Sequence, residues 1–217
     1  TFKTTINTGS GPCSVVINPG NKFLYILESY AYDILAYTIG DGTYSSIGTY
    51  TASPGTSGGD YPYPSAIVIH PNGKYSYSVH RGTSGGIYAY AIDGATGALG
   101  SLVTYSPGYA SLNDITIHPG GKFVYITVSG GNDGDILLYT ADADTGVLTY
   151  VSSTHVSYKY STSPSVDPGG KFLYITNLNS SNVAVYSIDA ATGALTEISG
   201  SPFSTGSSPQ SIITVRI

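Results

Sequence analysis

The chain has no tryptophan, no methionine and a single cysteine, Cys13. One thiol excludes an internal disulfide and supplies no zinc-ligand pattern. Charged residues make up only 10% of the 217, with a formal net charge of −5. Lys22, Lys74, Lys122 and Lys171 are spread along the chain, so the concentrated basic face that nucleic acid requires is missing. No apolar run approaches the length that spans a bilayer. No stretch sustains the periodicity of an amphipathic helix. The absent initiator methionine points to a mature or excised chain from which any signal peptide has gone.

What is present is 21 tyrosines and 28 glycines among many threonines and serines. Low charge in that company reads as a secreted, extracellular or cell-surface β-protein, with a cytoplasmic one the alternative. Asn179-Ser180-Ser181 forms a glycosylation acceptor triplet. One segment recurs four times: PGNKFLYILE from Pro19, PNGKYSYSVH from Pro71, PGGKFVYITV from Pro119 and PGGKFLYITN from Pro168. The interval is about 50 residues, the period of a propeller blade. Each copy carries four apolar strands. The first precedes the proline (residues 14–18, 66–70, 115–118 and a shorter 165–167), and the second is the quoted segment. The third covers residues 34–39, 87–92, 136–141 and 183–188, and a turn then leads into the fourth. That turn is Thr96-Gly97, Thr145-Gly146, Thr192-Gly193 and, in the first copy, Asp41-Gly42. Glycine there supplies the positive φ of a tight hairpin.

In residues 171–177 both alternating faces are apolar, as expected of a strand buried between stacked sheets. The pattern predicts an all-β fold, a β-propeller of four-stranded antiparallel blades, over a solenoid or an Ig-like sandwich. The blades are expected at residues 13–53, 64–106, 112–154 and 163–202, within one domain or propeller segment. Left over are an orphan outer strand at residues 1–7 and an orphan inner strand at residues 210–217. These cannot pair with each other, so the ring is expected to stay incomplete.

Tyr174-Ile175-Thr176-Asn177 resembles the Tyr-Val-Thr-Asn signature of the YVTN-type propeller repeats. The whole chain is similar to the C-terminal portion of the seven-bladed propeller lactonases, of the 6-phosphogluconolactonase type. One blade of that family ends a strand in Tyr-Val-x-Asn-Glu and the next in Ser-Asn-Arg-Gly. Here Tyr25-Ile26-Leu27-Glu28 and Ser78-Val79-His80-Arg81-Gly82 stand in the same order. The resemblance implies lactone hydrolysis, with Glu28 as base and Arg81 holding an anion or the developing oxyanion. It also implies that the lone C-terminal strand, SIITVRI, plays the part of the family's last inner strand, which joins the N-terminal strands to close the ring. Two motifs depart from it: the family's Gly-Pro-Arg-His is Gly11-Pro12-Cys13-Ser14, and a later Pro-Arg is Leu112-Asn113.

In a propeller the varying strand tips and the connections between blades share one face, where recognition usually sits. Glu28 and Arg81 are the catalytic candidates, with a simple rim ion pair as the alternative. His80, Tyr61, Tyr63, Tyr109, Asn113, Asp114 and Asn177 are the ligand-binding candidates, tyrosine offering a flat apolar face with a hydroxyl. His70 and His118 precede the turn proline and read as structural, and His155 as a loop residue. Cys13 has no His–Asp context for a triad and is expected to pack near the axis. Asn132-Asp133-Gly134-Asp135 lacks the late glutamate of a calcium loop and reads as a turn. No metal and no cofactor is expected.

Missing the histidine and two arginines of the resemblance, the chain reads first as a non-catalytic binding or assembly module. Its expected partners are itself or missing propeller blades through open strand edges, and a glycan or protein ligand at the loop face. A lactone hydrolase, or the C-terminal piece of one, is the alternative.

Overall fold

A computed structural model describes residues 5–52, 62–82, 85–129, 133–158 and 160–216. The chain divides into two units, residues 1–110 and 111–217. The first holds β1 (Pro12–Ile17), β2 (Phe23–Glu28), β3 (Asp33–Ile39) and β4 (Tyr44–Thr51), then β5 (Tyr63–Ile69), β6 (Tyr75–Arg81), β7 (Ile87–Ile92) and β8 (Leu99–Tyr105). The second holds β9 (Leu112–Ile117), β10 (Phe123–Ser129), β11 (Gly134–Ala141) and β12 (Leu148–Val156). These are followed by β13 (Ser161–Val166), β14 (Phe172–Asn177), β15 (Asn182–Ile188), β16 (Leu195–Glu197) and β17 (Phe203–Ser204). Each group of four pairs in sequence order into one antiparallel sheet, and β17 adds to β15 beyond the short β16. The fold is that of β-propeller blades, two in each unit.

The constant body of the repeat is explained by what it touches in the next blade. In the first unit the Tyr25 hydroxyl donates to the Gly97 carbonyl at 2.8 Å, and the Phe23 ring lies against the same glycine. A Cβ on Gly97, whose φ is +75°, would sit 2.5 Å from that ring. The second unit repeats this with Tyr125 donating to Gly193 at 2.9 Å and Phe123 packed on Gly193. The repeated lysine serves the same contact: Lys122 Nζ lies 4.9 Å from the Phe123 ring centroid and donates to Ala191 O at 2.8 Å. Each core forms between two sheets. Tyr25, Leu27 and Ile34 meet Ile67, Tyr88 and Tyr90 in the first unit. Tyr125, Ile136 and Leu138 meet Leu173, Ile175 and Tyr186 in the second.

The residue before each turn proline caps the turn. Asn18 Oδ1 accepts from the amides of Lys22 and Phe23, and Asp167 Oδ1 from those of Lys171 and Phe172. In the other two copies His70 Nδ1 accepts from Asn72 N and His118 Nδ1 from Gly120 N. The structural reading of both histidines fits this.

Two expectations need correction. The fourth inner strand is full length, because Pro164 lies in an edge strand where a missing N–H costs no ladder bond. The orphan segments carry no strand among the described residues 5–9 and 205–216. The C-terminal one still lies along β13, where Thr214 N donates to Ser165 Oγ at 3.2 Å and Thr214 Oγ1 to Val166 O at 2.6 Å. It docks there through the hydroxyls of Ser165 and Thr214 rather than through a backbone ladder.

Candidate functional site

Each inner strand skips register once near its loop end. The skip falls between Pro12 and Ser14, between Pro64 and Ala66, around Asn113, and between Ser161 and Pro164. The residue pushed out of the ladder is Cys13, Ser65, Asn113 and, with its neighbour Ser163, Thr162. A bulge re-aims a side chain and recurs next to functional sites. Two of these residues point to the carbonyl preceding the next bulge position, and a third to the C-terminal segment. Cys13 Sγ reaches Pro64 O at 3.5 Å, Asn113 Nδ2 donates to Ser161 O at 3.0 Å, and Thr162 Oγ1 to Gln210 O at 3.5 Å. No residue type is shared at this position, so the bulge left no mark in the repeat pattern. Both motif departures, Cys13 and Asn113, fall on it.

In the first unit the Cys13 bulge opens on a cleft of about 500 Å³ lined by Cys13, Ser29, Tyr30, Tyr63, Pro64, Ser65 and Arg81. Cys13 is at the surface, with its sulfur partly withdrawn between Leu27 O and Pro64 O, each 3.5 Å away. Burial of its sulfur pushes the thiol pKa up, against the lowering influence of Arg81, and the charge of Glu28 raises it further. A protonated thiol is a poor nucleophile. Tyr63 and Arg81 face each other across the end of the β5–β6 ladder, and Tyr63 pairs with the Tyr32 ring at 5.7 Å. Tyr30 stands 68% exposed and Tyr63 47%.

Glu28 ends β2 opposite Pro12 on one side and Asp33 on the other. It is 1% exposed. The Gly9 amide donates to its Oε1, and the strap that carries Gly9 is pinned by Ser29 N to Gly11 O at 2.7 Å and Tyr30 N to Ser10 O at 3.2 Å. A Cβ on Gly9 would lie 2.5 Å from Glu28 Oε2, so a side chain there would displace the carboxylate from its present position. Glu28 and Arg81 form no ion pair; among the described residues that contact occurs at His155–Asp135, 3.4 Å apart. The rim-pair alternative is thereby set aside. Asp33 was not singled out from the sequence, where it is an ordinary strand-start aspartate. Burial raises its carboxyl pKa.

His80 is withdrawn from the loop face, fully buried. Ser78 Oγ lies 2.9 Å from its Nε2 and the Tyr88 ring 4.2 Å from its own. Nδ1 has no well-formed hydrogen bond, although the Pro62 carbonyl lies near enough to favour the charged form slightly. Burial outweighs it and holds the imidazole pKa down at about 3. Tyr109 is half-buried in the connection after β8, and Tyr61 lies outside the described residues.

The second unit gathers Asn113 and Asn177 into a network of uncharged groups. Ser161 Oγ donates to Asn177 Oδ1 at 2.8 Å, and Asn177 Nδ2 to Asn182 Oδ1 at 2.8 Å. Asn113 joins through the Ser161 carbonyl, and Asp114 caps the amide of Ile115 at 2.8 Å. Asn113 and Asn177 are both buried. Of the suspected calcium loop, Asn132 lies outside the described residues, and Gly134 pairs with Ser129 as a tight hairpin would.

A family profile described as "Lactonase, 7-bladed beta-propeller" matches residues 2–110 and 102–210. A 6-phosphogluconolactonase of Formosa agariphila is 30% identical over 124 residues, 56% of this chain and 34% of that protein. The matched stretch therefore spans about a third of the relative's length. Two solved structures share the fold. A Bacteroides uniformis protein has a TM-score of 0.78 at 19% identity, covering 93% of this chain and 60% of that one. The periplasmic gluconolactonase of Pseudomonas aeruginosa has a TM-score of 0.75 at 20% identity, covering 91% and 55%. Among the described residues no helix is long and apolar enough to cross a membrane.

Proposed function

The chain belongs to the seven-bladed β-propeller lactonase family, and we propose that it is the part of a lactone hydrolase that carries the catalytic base. The observation that carries this reading is the placement of Glu28 and Arg81. They lie near the Cys13 bulge with opposite charges and no bond between them. Glu28 takes a proton from water as the water oxygen adds to the lactone carbonyl. Arg81 stabilises the oxyanion and then the product carboxylate. The ring C–O bond breaks, and the departing alkoxide takes the proton back from Glu28, leaving a hydroxy acid. The Gly9 strap must swing aside for Glu28 to reach water. Cys13 stays a neutral thiol and forms no acyl intermediate.

The relatives' names favour this hydrolase over the binding module that the composition put first. An assembly role survives within it. Phe172 and Tyr174, the counterparts of Phe23 and Tyr25, line an open apolar cavity of about 390 Å³ with Val183, Val185, Ile198 and Phe203. That face would receive a further blade. Secretion belongs to the same proposal and draws support from the periplasmic gluconolactonase.

The test is hydrolysis of sugar δ-lactones by the chain. Glu28→Gln should lower kcat by about 100-fold or more, the usual scale for a general base, and Cys13→Ser should leave it within a few-fold. An unchanged rate in Glu28→Gln would sink the reading.

A further inference from the structure

We infer that the cleft of the first unit is built for an unphosphorylated sugar lactone and discriminates against its phosphate ester. The inference deepens the lactonase reading and rests on it for the word lactone, but its own argument is one of charge. Among the described residues the cleft's lining holds a single charged group, Arg81. Lys22 and Lys74 sit by the turn prolines at the opposite ends of their sheets. The two bulge positions that aim side chains here, Cys13 and Ser65, are uncharged, and burial keeps the Cys13 thiol protonated. Two carboxylates stand behind them, Glu28 with Asp33 opposite it in the β2–β3 ladder.

A phosphate monoester brings close to two negative charges at neutral pH. It would meet one guanidinium and the field of Glu28, which already reaches Cys13. That is a poor balance, because like charges in a partly buried site repel strongly. A neutral lactone carries no such penalty. Its polyol ring suits the exposed faces of Tyr30 and Tyr63 and the hydroxyls of Ser29 and Ser65. The single carboxylate formed on ring opening is the one anion that Arg81 can hold by itself.

The experiment uses the full chain with glucono-δ-lactone and 6-phosphogluconolactone. Calorimetric binding of the two product acids, gluconate and 6-phosphogluconate, runs in parallel. Expected is a kcat/KM at least about tenfold higher for the unphosphorylated lactone, with gluconate bound more tightly than its phosphate ester. Cys13→Arg places a second cation on the bulge and should move the ratio toward the phosphorylated lactone by about tenfold. Turnover that prefers the phosphate ester overturns the inference and leaves the lactonase reading intact. Tighter binding of gluconate without hydrolysis of either lactone does the reverse. Binding of neither acid, or a ratio unmoved in Cys13→Arg, also overturns the inference.

Discussion

The two units are built on one seam and end in opposite chemistry. Tyr25 locks onto Gly97 as Tyr125 locks onto Gly193, and a bulge follows in every inner strand. At the strand tips the first unit places Glu28 and His80, both buried and both titratable. The corresponding residues of the second are Val128, which is apolar, and Asn177, knitted between Ser161 and Asn182. A scaffold repeated this closely tolerates any tip whose polar atoms are satisfied locally. Unsatisfied or charged tips persist only where something offsets their burial. The difference teaches that buried titratable tips occur in the first unit and neutral ones in the second, and it can be broken or sharpened by experiment.

The largest effect should come from pH. Burial holds the folded His80 near a pKa of about 3, whereas an unfolded imidazole takes up its proton below about 6.5. Stability is therefore undiminished above pH 6.5 and falls as the pH drops from there toward 3, since the unfolded chain binds the extra proton. By pH 5 the loss attributable to this one group is about 2 kcal/mol. Hydrogen exchange read peptide by peptide should show it in the first unit. His80→Gln should flatten the slope there. A second unit that softens equally between pH 7 and 5, with the slope unchanged in His80→Gln, would break the comparison.

The matching half of the comparison is sharpened by Tyr25→Phe and Tyr125→Phe. Each leaves a glycine carbonyl buried without its donor and should cost about 1 kcal/mol, seen as equal drops in the protection of its own unit. Unequal losses would mean that the two seams are alike only in outline.

These contrasts also mark where the sequence was legible. A constant Lys-aromatic-x-Tyr run, followed by Thr-Gly in three copies and Asp-Gly in the first, announced four blades, because inside each unit the run's tyrosine and phenylalanine lock onto the next blade's turn glycine. The Cys13–Ser65–Asn113–Thr162 bulge could not be read. It is a one-residue offset in pairing, and its residues share only the ability to donate to a carbonyl. Nor could the burial of Glu28 be read, since it depends on Gly9, nineteen positions away and outside the repeat. The tips do fall at the ends of the second strands, but that a tip faces inward is a matter of packing, and His80 shows it.

The smallest effect concerns the outer hairpins. Asp93 is held below the usual carboxylate range by the amide and hydroxyl of Thr96 and the amide of Ala95. Asp142 and Asp189 are lowered first by the hydroxyls of Thr145 and Thr192 and then by the amides around them. A depressed carboxylate contributes stability that is present above its unfolded pKa and is lost as the pH falls through the folded one. The window therefore lies below about pH 4, clear of the His80 transition. The first unit has one such hairpin, because its first blade turns through Gly40 to Thr43 instead, while the second has two. Acidification from pH 4 to 2 should loosen residues 142–147 and 189–194 together, ahead of the Gly40–Thr43 turn. Thr145→Val should move the loosening of its own hairpin to higher pH and leave that of Asp189 in place. If both hairpins shift in Thr145→Val, the caps are coupled through the blade rather than local, and the outer edge of the second unit behaves as one element.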